Sequence, residues 1–246
     1  MLTSSILDFN YCRVLTENAD TALTLPLKKQ FDYSFVVSYG DFDDPDFKVM
    51  PKYSCMIDLE GGVDAMLKRC NPTCRNEIRR TYRMSELNFH IADKERSAAY
   101  LLHKESEAER EWLPIPPDEF QKSIVAFITY MEEPIAGMTC YYSGTRMRVG
   151  RIFSRRKSRL WSNVQKVVFS ASTRRIVHEL SRIGIEYGCK ALDLGGIDLD
   201  NPAKAGIAQF KLSFGGGIVP VKIGRYEKPK FTARKDEIKK MGFDIT

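Results

Sequence analysis

Hydrophobic and polar positions change their period along this chain, and the changes mark out its elements. In residues 1–60, two β-rich runs, FDYSFVVSY (31–39) and YSCMIDL (53–59), flank the acidic, turn-like stretch GDFDDPDF, so this part reads as short strands. Val63, Met66, Leu67 and Cys70 then follow helical spacing. Asn71-Pro72 reads as an N-cap with proline at the first helical position, opening a helix that runs to about Arg83. Cys74, Ile78 and Tyr82 share its core-facing side. Arg75, Arg79 and Arg83 form a stripe on another side.

From residue 87 the order becomes diagnostic. LNFHIAD (87–93) alternates as a strand, 94–110 reads as a helix, and PPDEFQKS (116–123) as a short helix opened by prolines. Three strands follow, the first two joined in a hairpin at Glu133-Pro134. Residues 172–187 form an amphipathic helix, with Ser172 as its N-cap and Gly188 as its stop. ALDLGGI (191–197) is a buried strand, 204–215 a short helix ending in glycine, and 217–226 a last strand. The order β-α-α-β-β-β-α-β-α-β calls for a mixed sheet flanked by helices.

Composition narrows the partners. The 246 residues are 43% apolar and 28% charged, enough for a real core. No run approaches the roughly 20 apolar residues of a membrane span, and the first residues lack the basic region of a secretory signal. A cytoplasmic protein without a membrane partner is expected. The six cysteines are expected to be reduced thiols in or near the core. Cys70 and Cys74 are four apart, but no second His or Cys pair completes a metal site. A net charge of +6 favours an anionic partner: a nucleic acid, a nucleotide or a phosphorylated cofactor.

Three motifs sharpen the picture. CKALDLGGID (189–198) is a strand ending in Asp-x-Gly-Gly. GIAQFKLSFGGGIVP (206–220) sets Phe-Lys before a glycine cluster. CRNEIRR (74–80) carries Arg-Asn at the start of a basic helix. Together they resemble the FemAB group of the GNAT acyltransferase superfamily. That resemblance implies a mixed α/β GNAT fold, with residues 1–85 a truncated GNAT-like domain and 86–246 a complete one. It also implies an N-acyltransferase. Some members of the group move amino acids from aminoacyl-tRNA onto peptidoglycan precursors. Smaller relatives acylate amino sugars carried on a nucleotide, with acyl-CoA as co-substrate. The length of this chain, with no helical arm inserted, favours the second reading: a dTDP-linked amino sugar as acceptor, for surface polysaccharide synthesis. The aminoacyl-tRNA reading is the alternative, and nucleic acid is expected as a partner only under it. A non-catalytic GNAT module that binds a nucleotide or nucleic acid is a third.

Acyl transfer to an amine needs a held donor, a deprotonated amine and a stabilised oxyanion. For the donor, Arg155, Arg156 and Arg159 precede the helix start expected at Ser172, with Arg174 and Arg175 in its first turn. Amides at a helix start bind phosphate, and arginines beside them add charge-assisted bonds. In GNAT enzymes this place binds the CoA pyrophosphate, although Ser170–Thr173 stands where their glycine loop would be. By resemblance Lys211 stabilises the oxyanion. Phe210 and Phe214, four apart, are expected to pack its helix on the sheet and turn Lys211 away from that face. Asp193, Asp198 and Asp200, at the end of a sheet strand, are the candidate carboxylates for the proton, with a water chain or a substrate phosphate as alternatives. Asp193 is also a candidate to hold the turn before Gly195-Gly196. His90, His103 and His178 read as structural. The resemblance puts Arg75, Asn76 and Arg79 on the acceptor side, with Phe210, Gly195 and Gly196 beside them. Glycine lets a ligand approach the backbone closely. No metal is expected.

Overall fold

The computed structural model describes residues 1–91, 96–110, 115–155 and 163–240. In chain order the elements are β1 (Leu2–Ile6), β2 (Phe9–Thr16), α1 (Thr21–Gln30), β3 (Tyr33–Ser38), β4 (Lys48–Asp58), α2 (Gly62–Arg69) and α3 (Pro72–Thr81). There follow β5 (Leu87–Ile91), α4 (Arg96–Ala108), α5 (Pro117–Lys122), β6 (Ile124–Tyr130), β7 (Glu133–Ser143) and β8 (Arg146–Ser154). The chain continues with α6 (Asn163–Glu186), β9 (Ala191–Ile197), α7 (Ala205–Leu212), β10 (Gly217–Glu227), α8 (Pro229–Ala233) and α9 (Lys235–Lys240).

All ten strands form one sheet, in the order β1-β2-β3-β10-β4-β9-β8-β7-β6-β5. Two neighbouring pairs are parallel, β2/β3 and β8/β9, and the rest are antiparallel. Each parallel pair is bridged by a crossover helix, α1 and α6, as parallel pairing requires. β10, the last strand, lies between β3 and β4 of the first 60 residues.

Side-chain alternation along the strands builds a core on each face. Ala126 and Ile128 of β6 pack with Cys74 and Ile78 of α3 and Ile176 and Leu180 of α6. Val125 and Phe127 of the same strand pack instead with Ala99, Leu102 and Phe120 of α4 and α5.

Local chemistry explains most boundaries. The Asn71 side chain accepts from the Cys74 N–H at 2.8 Å with Pro72 inside the first turn, the cap read from the sequence. The β6–β7 hairpin turns at Met131 and Glu132, both with positive φ, just before the expected Glu133-Pro134. Helix α1 was not expected, since threonines and Pro26 break its helical pattern. Asp20 caps it by accepting from the Leu23 N–H at 2.9 Å. The largest departure is α6. It starts at Asn163, nine residues before Ser172. Ser172 is a fully buried mid-helix residue whose hydroxyl donates to the Val168 carbonyl at 2.8 Å, a bond that keeps serine inside a helix.

Candidate active site

β8 and β9 lie side by side for only three residue pairs, Arg146–Ala191, Met147–Leu192 and Arg148–Asp193. β8 continues to Ser154 and β9 to Ile197 without pairing again. Two irregularities accompany the separation. Thr139 and Cys140 of β7 face Arg151 and Val149 of β8, so Gly150 is an extra residue in that ladder. Ser54 and Met56 of β4 face Gly196 and Asp193 of β9, so Leu194 and Gly195 together oppose Cys55. Gly195 has φ +81°, the left-handed region that a side chain disfavours. The Gly195 N–H donates to Asp193 Oδ1 at 2.7 Å, so the Asp-x-Gly spacing of the motif fixes this bulge.

The notch between the separated strands opens into a cavity of about 840 Å³. Phe169, Thr173 and Arg174 of α6 and Phe210 and Lys211 of α7 line one side, and Gly195 and Gly196 line its β9 border. Arg13 of β2, Phe35 of β3, Glu119 of α5 and Tyr141 of β7 line the far end. The cavity is strongly cationic. Arg13, Arg110, Arg148, Arg151, Arg155, Arg174 and Lys211 line it, against Glu119 as the one carboxylate among the described residues. Such a lining concentrates an anionic ligand.

Lys211 is as deeply buried as Arg148. Its side chain is 7% exposed, and Nζ donates to the Gly196 carbonyl at 2.6 Å. Burial, reinforced by the nearby Arg148 guanidinium, pulls its pKa down to about 8. The expected direction of Lys211 needs correction. Phe210 and Phe214 do stack edge to face, with centroids 5.3 Å apart, but Lys211 reaches towards β9 rather than away from the sheet.

Asp193 is fully buried and does not line the cavity. Its carboxylate pairs with Arg148 and accepts from Ser54 Oγ, from the Tyr39 hydroxyl at 2.8 Å and from the Gly195 N–H. A carboxylate with both oxygens so engaged is an anchor, not a base open to a substrate amine. Asp198 is half-exposed, pairs with Lys204 at 3.1 Å and also lies outside the lining. Glu119 at the far end is held by Arg13 Nε at 2.9 Å and by the Tyr11 hydroxyl at 2.8 Å.

The residues expected to hold the donor separate into three groups. Arg155 and Arg174 line the cavity: Arg155 pairs with Glu133 at 2.6 Å, and Arg174 pairs with Glu77 at 2.9 Å while lying over Phe210. Ser172 and Arg175 do not line it. Ser172 cannot offer a helix start, because the helix begins earlier. Arg175 stacks on Tyr82 at 4.2 Å and donates to the Thr81 carbonyl at 3.1 Å, tying α6 to α3. Arg156 and Arg159 lie outside the described residues. Among the expected acceptor residues, Phe210, Gly195 and Gly196 line the cavity, and Arg75, Asn76 and Arg79 do not. Arg79 and Asn76 are exposed on α3, and Arg75 donates to the Lys68 carbonyl at 3.2 Å.

The histidines take structural positions. His103 is fully buried and accepts from the Ile115 N–H at 3.0 Å, and burial lowers its pKa to about 4. His178 Nδ1 meets the Tyr82 hydroxyl at 2.9 Å, and His90 Nε2 meets Thr129 Oγ1 at 3.0 Å. All six cysteines are free and buried. Sequence reasoning missed Arg148, Ser54, Tyr39 and the Arg13–Glu119–Tyr11 cluster. One signal was present: Arg146 and Arg148 occupy alternate positions of an apolar strand, a costly placement that demands a partner.

Comparison with solved structures shows where the fold recurs. The fold is shared with FemX. That structure aligns with a TM-score of 0.59 at 10% identity, over 94% of this chain and 85% of FemX. L-PGS from Bacillus licheniformis aligns with a TM-score of 0.53 at 12% identity, over 98% of this chain and 85% of that one. The C-terminal domain of a lysylphosphatidylglycerol synthetase-type protein from Agrobacterium fabrum gives 0.53 at 12%, over 95% and 83%. No protein-family model matches the chain, and no curated protein matches it. The mixed α/β architecture expected from the motifs is the one observed, and FemX shares it. Among the described residues, no helix is long and apolar enough to cross a membrane, and no cluster of His, Cys, Asp and Glu is placed to hold a metal.

Proposed function

We propose that the chain is an acyltransferase that moves an aminoacyl group from a tRNA ester to a primary amine inside the β8–β9 notch. One observation carries this reading. A buried lysine with a lowered pKa stands on the wall of a cationic cavity, where two parallel strands part beside a glycine pair. The amine attacks the ester carbonyl, and negative charge develops on the carbonyl oxygen. The Lys211 ammonium has three N–H donors, of which Gly196 takes one. The others meet the oxyanion. Collapse breaks the ester bond, and the departing ribose oxygen takes the proton that the amine gives up. Protons therefore balance between the reactants, and the reaction does not depend on freeing Asp193 or Glu119 from their partners. In this role Asp193 is a positioning residue, acting through Arg148 and the Gly195 bulge.

The donor is argued from two sides. FemX and the lysylphosphatidylglycerol synthetase-type domain share the fold, and the latter's name describes the joining of a lysyl group to a lipid. The residues leading into α6, RKSRLWS (156–162), contain no glycine to cradle a pyrophosphate. Acyl-CoA, with a nucleotide-linked amino sugar as acceptor, would use the same cavity and is the competing pair. In either case the reaction belongs in the cytoplasm, where these donors are made.

The test is transfer of label. Radiolabelled aminoacyl-tRNA and radiolabelled acyl-CoA are each offered with peptidoglycan-precursor peptides and amino-sugar nucleotides. Transfer from aminoacyl-tRNA that is lost in a folded Lys211→Met variant supports the reading. Transfer from acyl-CoA alone overturns the donor.

A further inference from the structure

A second concentration of positive charge lies outside the cavity. Residues 68–83, from the end of α2 through α3, hold six cations and one carboxylate. Their net charge is +5, against +6 for the whole chain. The carboxylate, Glu77, is taken up by Arg174. Arg69 lies 3.6 Å from Asp58. Among the described residues, no ion pair involves Lys68, Arg75, Arg79, Arg80 or Arg83. Most other basic side chains on the surface have an acidic partner, as do Lys28, Arg146, Lys222 and Arg234. A solvated helix face ordinarily intersperses both signs. This one leaves a row of like charges at i, i+4 spacing, a destabilising arrangement unless an anion covers it.

The row is joined to the active cavity. The Asn71 N–H donates to the Ser213 carbonyl at 2.9 Å, just beyond the end of α7, and the Cys70 thiol lies 3.8 Å from the Phe214 carbonyl. The α2–α3 corner therefore rests on the segment that carries Lys211. On the same helix, Glu77 meets the cavity residue Arg174. This face is thus tied to the cavity rim through the Glu77–Arg174 pair.

We propose that the exposed arginine face of α2–α3 docks the RNA that carries the acyl donor, holding its backbone while its esterified end enters the notch. This rests on the aminoacyl-tRNA reading given above. The charge composition fits a phosphodiester: five of the six cations are arginines, whose planar fork matches phosphate oxygens. An anionic membrane fits less well. A helix that lies in a lipid surface needs an exposed apolar side. Here the apolar residues of α3, Cys74 and Ile78, are buried in the core, and Tyr82 is the exposed large apolar residue of this face, with Arg175 stacked on it.

The test uses the full chain and the triple variant Lys68→Gln/Arg80→Gln/Arg83→Gln, with fluorescence anisotropy of deacylated tRNA at several salt concentrations. Native protein should bind with steep salt dependence. The variant should bind at least tenfold more weakly, with the log–log salt slope reduced by about 2–3, since each lost phosphate contact removes roughly 0.7–0.9. Turnover of a short aminoacylated RNA ending in the same ester should be unchanged in the variant, while KM for full-length aminoacyl-tRNA rises. Equal tRNA affinity and salt slope in variant and native protein overturn the proposal. So does loss of binding to equimolar phosphatidylglycerol–phosphatidylcholine vesicles with tRNA binding unaffected. Turnover of the short donor separates the two ideas: its absence in native protein sinks the aminoacyl-ester reading, and its presence with equal full-length KM values sinks only the docking face.

Discussion

Arg148 and Asp193 are partners twice over: they form the last rung of the β8–β9 ladder, and their side chains form a buried ion pair at the point where the strands part. The pair fixes where the notch begins. Removing one partner leaves an uncompensated buried charge, which costs about 3–5 kcal/mol. Asp193→Asn should therefore lower the urea midpoint strongly. Arg148→Met with Asp193→Leu, which removes both charges, should regain much of that loss. A single variant as stable as the native protein would show that the pair does not hold the strands.

Lys211 should give a pH signature in both stability and rate. Its folded pKa is about 8, below the ordinary lysine value of 10.5. Between those values the unfolded chain binds more protons, so stability rises with pH through that window and the penalty is full below about pH 8. Relative to the native protein, Lys211→Met should gain thermal stability near neutral pH, and the gain should shrink as pH approaches 10.5. A difference independent of pH would contradict the buried charge.

For turnover the sign is reversed. Oxyanion stabilisation needs the protonated amine, so kcat should fall above about pH 8. Lys211→Arg should move that limb to higher pH, because guanidinium stays charged. Lys211→Met should lose about 10²–10³ in kcat, the usual cost of removing one such donor. A folded Lys211→Met protein with near-native kcat would remove Lys211 from the chemistry.

The two glycines of the motif should respond differently. A Cβ at Gly195 would meet nothing closer than 3.8 Å, so the cost of Gly195→Ala is that of holding φ +81°. About 1–2 kcal/mol is expected in denaturant unfolding. Gly196 has no left-handed backbone and no contact closer than 3.9 Å, so Gly196→Ala should cost less. Equal losses would show that the bulge does not depend on the left-handed residue.

Cavity and non-cavity residues of α6 should separate in kinetics. Arg174→Ala should raise donor KM roughly tenfold, the value of one charge-assisted contact. Ser172→Ala should leave donor KM unchanged, because its hydroxyl is spent on Val168. A raised donor KM for Ser172→Ala would restore the phosphate role first expected of it.

Elements with strong local signals were legible from the chain. Asn71-Pro72 capped α3 as read, and the strand-helix order from residue 87 to β10 matched the structure, while the two short helices after β10, α8 and α9, were not read. The start of α6 was not legible, because Ser172 resembles a cap whether or not a helix already surrounds it. Helix α1 was hidden by Pro26. The site was half legible. Lys211, Phe210, Gly195 and Gly196 sit together because two local motifs meet. Arg148, Ser54 and Tyr39 reach Asp193 from strands up to 154 residues away, and no spacing along the chain encodes that meeting.

The place of β10 sets the order in which this molecule becomes whole. Strands β3 and β4 are consecutive in the chain but do not touch in the sheet, because β10 occupies the gap and pairs with both. During synthesis the ribosome therefore releases β1–β3 and β4–β9 as two sheets with facing open edges. No strand pairing joins them until residues 217–227 emerge. Pairings of such long separation form slowly, and open edges are where chains pair wrongly with one another. The last strand thus acts as a zip. A ribosome that stalls before it leaves two half-sheets, with β4, one wall of the Asp193 anchor, exposed as an edge.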